Sequence, residues 1–219
     1  MLTTEKINKL IGVKESYQAP DKLKEILFDK ERREKLFLEF IKIESDVSYD
    51  WFNLYFQKVL ADRDMKKQDF TPPEVSNLLS RIVGSSNQTL EIAAGTGGLI
   101  INKWWSDCMS ESLFTYFPSN YFYQIEELSD ATIPFLLFNL LLRGMNATVV
   151  HGDSLTREVK QIYFIQNVHN DALLFSSLNV MPHNSMITSE FNVKSWLEDE
   201  IDHIEDENMP DHLPEVRNA

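Results

Sequence analysis

The ten residues from Thr89 to Gly98, TLEIAAGTGG, constrain this chain more than any other stretch. Thr89-Leu90-Glu91-Ile92-Ala93-Ala94 is a short apolar run interrupted by one carboxylate, and Gly95-Thr96-Gly97-Gly98 opens into Leu99 to Trp105. A buried strand, a tight glycine turn and a helix begin a doubly wound α/β unit. Glycines at such a turn let backbone N–H groups approach a ligand closely, beside a helix N-terminus. The spacing is not that of the dinucleotide fingerprint, and no Lys-Ser/Thr pair follows Gly98 as in a phosphate-binding loop. Glu91, four positions before Gly95, suits a ligand that carries a positively charged amino group.

The length of 219 residues accommodates one core domain plus an appendage. Cys108 is the only cysteine, so an intrachain disulfide and a cysteine metal cluster are both excluded, and no metal is expected. The opening MLTTEKINKL is too polar for a signal peptide, and no apolar run reaches membrane-spanning length. The cytoplasm is the expected compartment, with no membrane partner. The net charge of −13 is unevenly placed: Ser189 to Ala219 holds ten acidic residues against Lys194 and Arg217. Nothing in this balance is the basic footprint of a self-sufficient nucleic-acid binder. The acidic end reads as a solvated or interacting segment.

Three regions follow from the pattern. Residues 1–65 form a helical N-terminal region, with Leu23, Ile26, Leu27, Leu36, Phe37, Phe40 and Ile41 at helical spacing and a second amphipathic stretch from Trp51 to Leu60. Its aromatics are expected to pack in the core; residues 1–19 show no strong period. Residues 66–182 form the α/β domain. Thr71 is placed to N-cap a helix running to about Val83, with Pro72 at its first position and Glu74 completing a capping box. Tyr121–Ile125 and Ala147–Val150 read as strands, separated by a helix from Ser129 to Leu142 despite Pro134, which suits a first turn better than a helix middle. Residues 183–219 are expected to form a loosely ordered acidic tail, dispensable from about Glu205 because few large apolar residues follow.

Each of the three strands ends on an acid: Glu91, then Glu126 or Glu127, then Asp153. Ligands of open α/β sheets sit beyond the carboxyl ends of the strands, so these acids converge on one crevice. A carboxylate after the second strand accepts both hydroxyls of a ribose, and an Asp after the third accepts an adenine amino group. With Glu91 toward an ammonium, the set describes a site for S-adenosylmethionine.

Residues 66–155 resemble the adenine-N6 DNA methylases, especially the modification subunits of type I restriction–modification systems. QDFTPPEV is similar to that family's leading segment, in which the equivalents of Phe70, Thr71 and Pro72 flank the cofactor. LEIAAGTGG is similar to its Asp-Pro-Ala-Cys-Gly-Thr-Gly-Gly motif, with Glu91 for Asp, Ile92 for Pro and Ala94 for Cys. Glu127 lies twelve residues before Asn139 in NLLLRG, the spacing of the family's ribose-binding Glu, which selects Glu127 over Glu126. HGDSL resembles the family's Gly-Asp-Ser-Leu and gives Asp153 the adenine. The resemblance implies a Rossmann-like, S-adenosylmethionine-dependent methyltransferase fold behind a helical N-terminal region. It implies a cofactor site at Phe70, Thr71, Pro72, Glu91, Ala93, Gly95, Thr96, Gly97, Glu127, Asp153 and Ser154.

The chain departs from the family at the catalytic tetrapeptide, Asn-Pro-Pro-Phe/Tyr, which follows the fourth strand and grips a flipped base. If Asp171 to Phe175 is that strand, the preferred register, Ser176-Ser177-Leu178-Asn179 fills the slot; if Ile162 to Ile165 is, Asn167-Val168-His169-Asn170 does. The two runs also suit a hairpin. No catalytic residue is assigned, and transfer activity stays open. Two functions follow: a methyltransferase-like protein that reaches DNA through a partner such as another restriction–modification subunit, or a non-catalytic relative that modulates or decoys such a complex.

Overall fold

The computed structural model describes residues 2–59, 75, 79, 86–111 and 115–207. Phe70, Thr71 and Pro72, and with them most of the helix expected from Thr71 to Val83, lie outside these residues.

The chain opens with helices α1 (Thr4–Ile11), α2 (Ala19–Leu27), α3 (Lys30–Ile43) and α4 (Asn53–Val59). α1 was hidden in a polar stretch, yet its local chemistry is complete. The Thr3 side chain accepts from the Lys6 N–H, Gly12 ends the helix at φ 84°, and Ile7 and Ile11 are buried. Strand β1 (Gln88–Ile92) leads through the glycine turn into α5 (Gly98–Ser110). Then come β2 (Phe122–Glu127), α6 (Ile133–Leu142), β3 (Ala147–Gly152), β4 (Glu158–Gln166), β5 (Ser177–Val180), α7 (Ser185–Glu190) and β6 (Ser195–Trp196).

The sheet runs β1-β2-β3-β4-β5, with β6 against β4. β1, β2 and β3 are parallel, while β4 is antiparallel to β3 and β5 antiparallel to β4. This is a mixed α/β fold whose first three strands form a parallel, Rossmann-like unit. β1 is its outermost strand among the described residues, and Leu90 and Ile92 on its outer face are each 56% exposed. Both candidate fourth strands are revised. Ile162 to Ile165 belongs to β4, whose direction opposes β3, and Ala172 to Phe175 lies in a turn before β5. A hairpin is found, but β4 pairs with Ser177–Val180, and the run Ala172 to Phe175 forms the connection rather than its second strand.

α6 is the centre of the core, with every residue from Ile133 to Leu142 buried. A helix apolar on all sides needs a layer on each flank. The sheet supplies one; the N-terminal helices supply the other through Phe37, Phe40 and Phe52, whose rings meet Phe138 at 4.7, 4.9 and 5.0 Å. One continuous apolar cluster therefore runs from Ile7 to Val180, and the helical region shares its core with the sheet.

Residues 183–207 differ from the expectation of loose order. Phe191 and Val193 pack with Val150, Val159 and Ile162 in a second small core. Farther on, the Asn179 Oδ1 accepts from the Glu205 and Asp206 N–H groups at 2.7 and 3.1 Å. The docking is carried by polar contacts that hydrophobic periodicity does not display.

Candidate nucleoside-binding site

The parallel register aligns the carboxyl ends of β1, β2 and β3: Ile92 pairs with Glu126, and Glu127 with His151. The glycine turn, Glu127 and Asp153 therefore lie along one rim of the sheet. Ala93 enters the turn at φ 58°, Gly95 sits at 60° and Gly97 at 95°. Gly97 serves packing as well as backbone freedom, because a Cβ there would stand 3.0 Å from Leu136 Cδ1.

Glu127 is tied directly to this turn. Its Oε2 accepts from the Gly95 N–H at 2.8 Å and its Oε1 from the Ser129 N–H at 2.8 Å. Burial raises its carboxyl pKa, and these backbone N–H groups oppose the rise. Glu126, one residue earlier, points to the opposite face. Arg157 holds it with two hydrogen bonds of 3.0 and 2.8 Å and donates to the Phe191 carbonyl at 2.6 Å. Neighbouring carboxylates thus have separate duties: Glu126 pins the C-terminal segment, and Glu127 faces the turn.

Glu91 lies on the same sheet face as Glu127, below the first turn of α5. Its Oε2 is buried with no hydrogen-bond partner. Desolvation pushes its carboxyl pKa up to about 8, opposed by the Ile100 N–H and reinforced by the charges of Glu127 and Asp50. A carboxyl in that state gains most from an incoming cation.

Asp153 occupies the turn between β3 and β4. Its Oδ1 accepts from the Leu155 and Thr156 N–H groups at 2.8 and 3.1 Å. Ser154 is partly exposed in the same turn, and Leu155 beside it is 93% exposed. Gly152 is required here, since a Cβ would lie 2.5 Å from the Glu158 carbonyl oxygen. Thr96 is fully buried and directs its hydroxyl inward to Asp50. That link joins the site to the N-terminal region and carries no motif signal. Asp50 is visible in the sequence only as an acid before an aromatic helix.

Neither candidate catalytic tetrapeptide reaches this rim. Because β4 runs antiparallel, Gln166 and Asn167 emerge beside Ala147 and Asn146, at the amino end of β3. The Asn167 amide is occupied by the carbonyls of Gly144 and Asp171, each at 2.9 Å. Ser176 to Asn179 are buried, and Asn179 donates to the Gln166 side chain at 3.2 Å while its Oδ1 receives Glu205 and Asp206. Both segments are structural.

The glycine turn beside a buried strand-end carboxylate, with a second acid in the next strand turn, sits on a mixed α/β fold of the Rossmann-like methyltransferase class. Residues 45–215 match the family model described as N-6 DNA methylase, and the chain belongs to that family. No curated protein and no solved structure matches it. No described helix is long and apolar enough to cross a membrane.

Proposed function

We propose that this chain binds S-adenosylmethionine, or its demethylated product, on the rim formed by Glu91, Ala93, Gly95, Glu127, Asp153 and Ser154, with the buried Thr96 and Gly97 shaping the turn from behind rather than touching the ligand. In this reading it serves as a partner-dependent relative of the type I modification subunits, reaching DNA only through another subunit. The observation that carries it is the unpartnered, buried Oε2 of Glu91 beside a turn already bonded to Glu127. An α-ammonium group satisfies that oxygen and favours its charged form. The remaining lone pairs of Glu127 are available to a ribose diol, and the free Oδ2 of Asp153 to an exocyclic amine. When bound, the cofactor supplies an electrophilic methyl group; the chain's residues hold and orient it.

The residues that grip a target amino group are absent from the rim among the described residues. Extruding a base costs a few kcal/mol, recovered by stacking and hydrogen bonds in the catalytic pocket. The net charge of −13 also opposes approach to a polyanion. These points favour a chain that does not methylate DNA alone. The alternative, a relative that modulates or decoys a restriction–modification complex, draws on the same absence. Calorimetric titration with S-adenosylmethionine tests the binding. Labelled-methyl transfer to mixed-sequence DNA, with and without a type I specificity subunit, tests the rest. Micromolar binding with transfer only in the presence of the partner supports the proposal. Robust transfer by the chain alone overturns the partner dependence, and undetectable binding at millimolar cofactor removes the whole reading.

A further inference from the structure

The glycine turn is held from a direction the strand–turn–helix pattern does not contain. The segment joining α3 to α4 lays Asp50 against the back of the turn. There Asp50 Oδ2 accepts from the Thr96 hydroxyl, and Oδ1 accepts from Asn139 Nδ2 at 2.8 Å and from the Phe52 N–H at 2.9 Å. Asn139 Nδ2 also donates to the Thr96 carbonyl at 2.7 Å, so side chain and backbone of Thr96 are both tied down. Asn139 is fixed in turn by Arg143, whose Nη1 donates to its Oδ1 and to its carbonyl, each at 2.9 Å. The same guanidinium donates to the carbonyls of Val47 and Tyr49 at 2.9 and 2.7 Å, which closes the ring on the segment that carries Asp50. Trp51 and Trp104 flank it, 5.5 and 6.0 Å from the guanidinium carbon.

We propose that Asp50 is a positioning residue for the cofactor site: through Thr96 it sets the turn so that the Gly95 N–H meets Glu127 and the ligand face of the turn stays open. The inference rests on the S-adenosylmethionine reading above. Desolvation raises the Asp50 carboxyl pKa against its three hydrogen bonds and the charge of Arg143, so the contact with Thr96 is made in a weakly solvated setting where it counts for more. Residues 47–50 become part of the site although nothing in them resembles a cofactor motif.

Thr96→Val separates positioning from general stability. It keeps side-chain volume, and it keeps the Asp50 bonds to Phe52 and Asn139, while removing the one hydroxyl. Two measurements are made on Thr96→Val, Thr96→Ser, Asp50→Ala and the Asp50→Ala/Thr96→Val double variant, well below their melting temperatures. The first is hydrogen exchange of the Gly95 and Gly97 amides without cofactor; the second is S-adenosylmethionine affinity by calorimetry. The expected result is at least tenfold faster exchange and at least tenfold weaker binding for Thr96→Val and Asp50→Ala. Thr96→Ser should stay near the parent, and the double variant should be no worse than Asp50→Ala. Parent-like exchange and affinity in Thr96→Val overturn the proposal, as does a Thr96→Ser defect equal to that of Thr96→Val. Should Asp50→Ala fail to fold, the two Thr96 variants decide the matter. A parent protein that does not bind the cofactor sinks the reading of the previous subsection, and the exchange data then decide the positioning role alone.

Discussion

Arg33 of α3 and Glu205, 172 positions later, form a two-pronged ion pair with contacts of 2.6 and 2.7 Å, both side chains almost wholly withdrawn from solvent. Arg33 also donates to the Leu27 carbonyl, and Glu205 Oε2 accepts from the Leu178 N–H at 3.0 Å. The pair ties the helical layer to β5 and to the C-terminal segment.

Glu205→Ala therefore destabilises the protein by about 3–5 kcal/mol, because it leaves a buried guanidinium without its counter-charge. The Arg33→Met/Glu205→Leu double variant recovers most of this loss, since apolar groups of similar size replace the pair. Urea unfolding of the three proteins checks both statements. Truncation before Glu205 should fail in the same way as Glu205→Ala. The expectation of a dispensable end from Glu205 onward is thereby corrected.

Glu91 makes ligand binding proton-linked. Its folded pKa is raised to about 8, so at neutral pH the free protein holds this proton. A cationic ligand beside the carboxyl favours its charged form and expels the proton. Calorimetry at pH 7 in buffers of different ionisation enthalpy should report proton release on binding S-adenosylmethionine, and Glu91→Gln should abolish Glu91's share of it. In the free protein the sign is opposite to that of a paired acid. The contribution to stability is complete below the unfolded carboxyl pKa and lost as pH rises through about 8.

Glu127→Ala removes a charged acceptor from the rim. Loss of ribose hydrogen bonds to a carboxylate costs roughly 1.5–3 kcal/mol, more than tenfold in affinity. Titration of the variant checks this, with far-ultraviolet dichroism as the control for folding. Parent-like affinity would exclude Glu127 from the ligand contacts.

His151, buried at the end of β3, makes the fold acid-sensitive. Desolvation lowers its pKa to about 4, although the Asp130 carboxylate lies 3.0 Å from Nε2. The unfolded chain binds a proton near pH 6.5 and the native state does not. Stability is therefore lost as pH falls through this window, by up to ~3 kcal/mol. Chemical denaturation at pH 7 and pH 4.5 measures the slope, and His151→Asn should flatten it.

The front of the site was legible because its signals are local. The strand and turn at Thr89–Gly98, the acid after β2 and Gly-Asp-Ser after β3 each depend on neighbours in sequence. α6 begins at Ile133 rather than at Ser129, which places Pro134 in its first turn, where its missing N–H is tolerated. What escaped was direction and distance. A run such as Gln161–Gln166 has the same periodicity whether it lies parallel or antiparallel to β3, so the end of the sheet at which Asn167 to Asn170 emerges is not encoded in it. Leu173 and Leu174 looked like strand residues, but the Asp171 side chain accepts from the Leu173 N–H and bends the chain into a turn. The contacts of Asp50 with Thr96 and of Arg33 with Glu205 join single polar residues far apart in the chain, which no periodicity encodes.

The sheet's strand order has a consequence for how the molecule assembles. Along β1-β2-β3-β4-β5 each strand pairs with its chain neighbour, so every pairing closes only the loop between consecutive strands. The shortest of these closures, residues 153–157 between β3 and β4, carries the smallest loss of chain entropy. Folding that begins at this hairpin can add β2 on one side and β5 on the other, then β1 at the rim, without threading a strand between two already paired. On this route β1, and with it the Glu91 side of the candidate site, joins last, and the reversal that carries Asp153 comes first.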